Sequence, residues 1–140
     1  MILLDTNVLS ELMRPSPEFQ VVRWLDGISE MDVWVSAITV SEIRLGIALL
    51  PEGRRRALLM ASADQMFQDE FENRCLPFDC EAAQEYARIV AKRKQVGSPV
   101  SVEDAQIAAV AQIAGLTLAT RNTKDFSDIE GLALVNPWLA

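Results

Sequence analysis

The sequence contains no histidine. That absence removes Ser–His–Asp and Cys–His nucleophilic catalysis at once. It leaves carboxylates, hydroxyls, amides and bound water as the groups available for acid–base or metal chemistry. Cysteine is nearly absent too: Cys75 and Cys80, in the stretch CLPFDC, are the only two. Without histidine they cannot complete a four-ligand zinc site, and their spacing is wider than a C-x-x-C redox pair. Buried or half-buried free thiols are the expectation. No apolar run approaches the roughly 18 residues that a membrane span needs. The chain reaches Asp5 with no basic segment or apolar h-region before it, so no signal peptide is expected. A soluble cytoplasmic protein without membrane association follows as the expectation. Basic residues are also in short supply, 13 against 20 acidic, for a net charge of −7. Binding to nucleic acid by bulk charge is therefore excluded, and any such binding needs local basic patches or bound cations. The same balance suits a basic protein partner.

What is present is a globular composition, half of it apolar in 140 residues, enough for one domain over 1–140 with a sizeable core. Short apolar runs alternate with helical periodicity. ILLD (2–5) reads as a strand buried on both faces. Residues 17–30 carry Val21, Trp24, Leu25 and Ile28 at helical spacing. VWVSA (33–37) is a second strand. Residues 39–50 form a helix with Val40, Ile43, Ile47 and Leu50 on one stripe, broken by Pro51 and Gly53. A longer polar helix over 52–73 has Leu59, Ala63, Met66 and Phe67 inward. CLPF (75–78) is a short strand that Pro77 marks as an edge. Residues 80–96 and 102–114 are helices closed by Gly97 and Gly115. TLAT (117–120) is a strand, 122–126 a helical turn, and LALV (132–135) a fifth strand. The alternation predicts an α/β fold, a parallel five-stranded sheet with helices on both faces. Trp138, in the final NPWLA, is expected to pack back on the body or on a second subunit.

One local pattern recurs. Asp5-Thr6-Asn7 ends the first strand. Thr39-Val-Ser-Glu42, Ser101-Val-Glu-Asp104 and Asn122-Thr-Lys-Asp125 each place an acid near a helix start. Helix capping explains any one of them alone, Thr39…Glu42 as a capping box and Asp104 as a favourable first-turn charge. Strands of an open parallel sheet, however, all end at one edge, where ligands bind. Asp5, Glu42 and Asn122 can converge there, and Asp104 joins them only if its helix crosses that edge. Converging carboxylates need something positive among them, and an all-oxygen set suits Mg²⁺ or Mn²⁺. Thr6, Asn7 and Thr120 are placed to orient the acids. Gly46, one turn beyond Glu42, either opens space beside that carboxylate or allows a close helix contact. Metal-assisted phosphoryl hydrolysis is the chemistry such a set supports.

DTNVLSEL, SAITVSEIRLGIALL, SVEDAQIAAVA and TLATRNTKDF, in that order and spacing, resemble a PIN-domain ribonuclease of the VapC toxin type, most closely the FitB-like members. The resemblance covers essentially the whole chain. It implies a metal-dependent endoribonuclease acting as the toxin of a type II toxin–antitoxin pair. Asp5, Glu42 and Asp104 match the family's acidic triad, with Asp5 and Asp104 the most direct metal ligands and Thr120 the supporting hydroxyl. The fourth acidic position is Asn122 here, an amide that can still offer an oxygen but with one negative charge fewer, so a second metal would be held less tightly. Asp125 matches a position that is often acidic. The resemblance also implies a homodimer and a small antitoxin, assembled as a dimer of toxin–antitoxin pairs, with DNA bound only through the antitoxin.

Arg54-Arg55-Arg56 and Lys92-Arg93-Lys94 are basic clusters that read first as solvated helix faces. Arg44 and Arg121 are ambiguous between RNA contacts and ion-pair partners. Two alternatives compete with the nuclease. A non-catalytic acidic α/β module would use the same acids as caps and as a receptor for a basic partner. A phosphatase would want Asp-x-Asp where this chain has Asp-Thr-Asn, and a phosphoacceptor receiver would want a lysine near the last strand, where none follows Lys124.

Overall fold

The computed structural model describes residues 1–140. Five short parallel strands, β1 (Ile2–Leu4), β2 (Val33–Ser36), β3 (Cys75–Leu76), β4 (Thr117–Ala119) and β5 (Leu134–Val135), form one sheet in the order β3-β2-β1-β4-β5. The helices are α1 (Thr6–Leu12), α2 (Phe19–Asp26), α3 (Ala37–Ala48), α4 (Arg54–Gln65), α5 (Cys80–Gln95), α6 (Val102–Ala114) and α7 (Thr123–Phe126). The expected α/β class and the parallel five-stranded sheet are both observed.

Alternation along the strands feeds two cores. Leu3, Leu118, Trp34 and Leu134 join the layer built with α5, α6 and α7. Their chain neighbours Leu4, Ala119, Val33 and Val135 join the layer built with α1 to α4. This explains why strands buried on both faces read as unbroken apolar runs. Alanines 105, 108, 109 and 111 on α6 are fully buried. Their small side chains let α6 pack closely along α5 and across the sheet. Gly115 ends α6 with φ +68°, a conformation glycine adopts without a Cβ penalty.

The structure differs from the sequence reading in several places. The helix expected over 17–30 is only α2, followed by a 3-10 turn, Glu30–Asp32. A separate short helix, α1, starts directly at Thr6. The helix expected over 39–50 begins earlier, because Ser36 rather than Thr39 is its N-cap, its hydroxyl accepting from the Thr39 N–H at 3.1 Å. Glu42 therefore lies in the second turn and is no capping-box partner. The long helix over 52–73 changes at Met66–Glu70 to a π-helical turn. Strand β3 is two residues long, ending before Pro77, and lies at the sheet edge as expected. Cys75 and Cys80 are both exposed rather than buried. The end of β3 and the first position of α5 leave each thiol at the surface. No helix is long and apolar enough to cross a membrane.

Candidate functional site

The strand order reverses direction between β1 and β4, which makes their carboxyl ends the switch point of the sheet, the usual ligand crevice of this architecture. Asp5 leaves β1 there. Its N–H bonds the Ala119 carbonyl at 2.9 Å, so the residue is still tied to β4 when its side chain turns to cap α1. Oδ1 accepts the Thr6 N–H at 2.8 Å and Oδ2 accepts the Thr120 hydroxyl at 2.7 Å. The capping reading and the site reading are thus both met by one carboxylate.

Asp5 is only 4% exposed. Burial pushes its carboxyl up to about 6 from an ordinary 3.8, against the lowering effect of the Thr120 hydroxyl and the Thr6 N–H, and the charges of Asp104 and Glu42 raise it further. Asp104 is also held above its ordinary value, first by desolvation and then by Asp125 and Glu103, while its hydrogen bond with Ser101 works the other way. The charge of Asp104 on α6 is felt at Asp5, a relation that spacing alone left open. The N-cap Ser101, whose hydroxyl accepts the Asp104 N–H at 3.2 Å, fixes where that helix begins.

Two directed hydroxyl chains orient the acids. Thr120, fully buried, spends its single proton on Asp5, so it can only accept from the Asn122 N–H at 3.1 Å and the Asn7 Nδ2 at 3.4 Å. Asn7 Oδ1 in turn accepts the Arg121 N–H at 3.3 Å, which ties the loop after β4 to α1. On the other side Thr6 donates to Glu42 Oε1 at 2.7 Å. Thr6 must then accept from Thr39, 3.0 Å away, and Thr39 accepts from Ser36 at 3.4 Å. Both chains end on carboxylate oxygens. Thr39 and Ser36, each fully buried, escaped the sequence reading as members of this network. Ser36, a hydroxyl directly between a buried strand and a helix, was the available signal.

The remaining residues are placed as follows. Asn122 precedes α7 and its side-chain amide makes no hydrogen bond, so its oxygen faces no competing partner. Asp125 is exposed and acts on Asp104 through charge. Arg44 is committed to α4, pairing with Asp64 at 2.7 Å and lying over the Phe67 ring at 5.3 Å. Arg121 lies over the Trp138 ring at 4.9 Å, and Trp138 packs back on the body. Of the basic clusters, Lys92 pairs with Glu130 at 2.6 Å, but Arg93 is buried, contrary to a solvated face. Its guanidinium donates to Ser98 O at 2.5 Å, Asp125 O at 3.0 Å and Ser98 Oγ at 3.3 Å. Gly46 has open space beside it and opens onto a largely apolar groove of about 810 Å³ that Thr6 and Glu42 also line.

The donors are carboxylate, hydroxyl and amide oxygens, which suit a hard divalent cation. The raised carboxyls of Asp5 and Asp104 are groups that a cation would relieve. No three acidic side chains are gathered closely enough to enclose an ion by themselves. The set therefore fits an ion that keeps part of its water, as Mg²⁺ does when one or two carboxylates hold it.

A PIN-domain family model matches residues 2–132, and the chain belongs to that family. Among curated relatives, it is 46% identical over 138 residues to toxin FitB of Neisseria gonorrhoeae (strain ATCC 700825 / FA 1090), covering 99% of each chain. It is 39% identical over 138 residues to the VapC ribonuclease Y4jK of Sinorhizobium fredii (strain NBRC 101917 / NGR234), covering 99% of this chain and 98% of that one. The solved structure of FitAB bound to an IR36 DNA fragment superposes with a TM-score of 0.92 at 45% identity, covering 99% of this chain and 96% of that one.

Proposed function

We propose that the protein is the toxin of a toxin–antitoxin pair and a metal-dependent endoribonuclease. The observation that carries this reading is the buried Asp5 at the switch point, raised to about 6 and sensing both Asp104 and Glu42. The likeness to toxin FitB and to a VapC ribonuclease supports the class. Asp5 and Asp104 are the proposed ligands of Mg²⁺ or Mn²⁺, with Asn122 and, through a water, Glu42 completing the oxygen set. When bound, such an ion supplies a water of lowered pKa and neutralises charge at the phosphodiester. Thr120 keeps Asp5 aimed and favours its ionised form against the effect of burial. Glu42, fixed by Thr6, is the carboxylate left to accept a proton from the attacking water. The amide of Asn122, at the start of α7, has no hydrogen bond that would compete with a metal. Asp125 adds negative charge beside Asp104.

The partners proposed are RNA as substrate, a second copy of the chain, and a small antitoxin that carries the DNA contact. The likeness to FitAB on DNA supports the last. The apolar groove shared by Thr6 and Glu42 is the surface along which a partner segment would reach the acids. A second reading, an acidic receptor without catalysis, draws on the net charge of −7, which suits a basic partner.

One experiment separates them: RNA cleavage by the purified, partner-free chain in Mg²⁺, Mn²⁺ and EDTA, with Asp5→Asn alongside. Metal-dependent cleavage that Asp5→Asn abolishes is the expected result. Absence of both cleavage and metal binding would remove the nuclease reading and leave the receptor.

A further inference from the structure

We propose that Arg121 and Trp138 form a preset phosphodiester clamp at the rim of the acidic edge, making the C-terminal NPW segment part of the substrate surface. The inference rests on the nuclease reading above and adds to it the group that brings the substrate's negative charge to a negative site. A cluster of carboxylates repels a nucleic-acid backbone, and a net charge of −7 offers no general attraction. A cation fixed beside the acids is what the chemistry requires.

Arg121 is the cation whose backbone is tied to that edge. It directly follows Thr120, whose hydroxyl holds Asp5, and its own N–H is anchored on Asn7 Oδ1. Its guanidinium carbon lies over the indole of Trp138, 4.9 Å from the ring centroid. A cation held over an aromatic ring keeps its N–H fork for other partners. That fork makes no side-chain hydrogen bond and no ion pair, and the residue is exposed. Glu11 senses the Arg121 charge weakly, but its oxygens are taken by Arg14 at 3.0 Å and by the Glu18 N–H at 3.0 Å.

Trp138 is held for this purpose from both sides. Its indole packs against the core layer of α1 to α4. Asn136 ties it to Arg121, accepting the Trp138 N–H at 2.9 Å and donating to the Arg121 carbonyl at 3.3 Å. An arginine so restrained loses less side-chain freedom on binding a phosphate bidentately than a free surface arginine does. The ligand class is the phosphodiester of a single strand. Trp138 is a positioning residue and Arg121 the contact.

The test measures binding of a fluorescent single-stranded oligouridylate by anisotropy over a salt series, in an Asp5→Asn chain so that the probe survives. Arg121→Gln is expected to weaken binding about tenfold and to lower the salt slope by about one. Trp138→Leu is expected to weaken it about threefold with the charge retained, and Trp138→Phe to keep most of the affinity. In the Asp5 chain, Arg121→Gln should raise KM for RNA and leave kcat nearly unchanged. Thermal melts identify any variant that fails to fold, and Arg121→Lys, which keeps the charge but loses the planar fork, then supplies the comparison. Affinity and salt slope unchanged in Arg121→Gln would overturn the clamp, as would Trp138→Leu binding like the parent. If the parent chain neither binds nor cleaves RNA, the nuclease reading falls and the clamp with it. That outcome is distinct from a parent that binds RNA with no help from Arg121.

Discussion

Asp5 shows how one residue can serve local structure and still carry strain. Its two oxygens satisfy the first turn of α1 and the buried Thr120 hydroxyl. Its pKa is nevertheless raised, because desolvation outweighs those bonds. In the metal-free protein the folded state holds the Asp5 proton up to about 6, whereas the unfolded chain gives it up near 3.8. Between those values the folded state binds more protons, so stability is full at the acid end and falls as pH rises through about 6. The loss is about 3 kcal/mol by the usual conversion. Urea denaturation in EDTA across this range should show that decline. Asp5→Asn should flatten it and leave the variant more stable at neutral pH by about 2 kcal/mol, once about 1 kcal/mol is deducted for the weakened Thr120 bond.

At the scale of elements, Arg93 links three pieces that meet near the acids. It leaves α5, ties the loop at Ser98 that leads into α6, and bonds the Asp125 carbonyl in the first turn of α7. It is 4% exposed and has no carboxylate partner; carbonyl and hydroxyl oxygens alone solvate its charge. Arg93→Met would leave those acceptors unpaired in a buried place. A loss of about 2–4 kcal/mol is expected by denaturant titration. Its neighbour Lys92 makes an exposed pair with Glu130, so Lys92→Ala should change stability by no more than about 0.5 kcal/mol. The contrast between adjacent residues comes from burial, which the run Lys92-Arg93-Lys94 does not disclose. The N-cap Ser101 was easier to read, because a short hydroxyl before a helical period has one common use, whereas the cap expected at Thr39 lies at Ser36.

For the whole molecule, the proposed metal ligands come from β1's end and from α6, with Glu42 on α3, so a bound ion would join elements from both core layers. Any ligand that prefers the folded state raises the melting temperature by mass action. Mn²⁺ or Mg²⁺ at a hundredfold excess over its dissociation constant should add about 2.7 kcal/mol. Calorimetry should show the gain reversed by EDTA and absent in Asp5→Asn. A rise in melting temperature that Asp5→Asn retains in full would place the ion elsewhere.

The sequence by itself determined the layer architecture, because unbroken apolar strands alternating with amphipathic helices have few ways to bury both faces of a sheet. It also determined the family, through four motifs in fixed order, and the acids those motifs carry. Tertiary structure alone decided three things. The strand order put β1 beside β4, and so gave Thr120, expected to orient the acids, to Asp5 in particular, across 115 residues. The path of α6 brought Asp104 within electrostatic reach of Asp5. The direction of each hydroxyl proton, from Ser36 through Thr39 and Thr6 to Glu42, followed from which groups were buried together. Periodicity reports which face of an element is apolar. Which polar groups then share that burial depends on contacts between distant segments, and those exist only once the chain has closed.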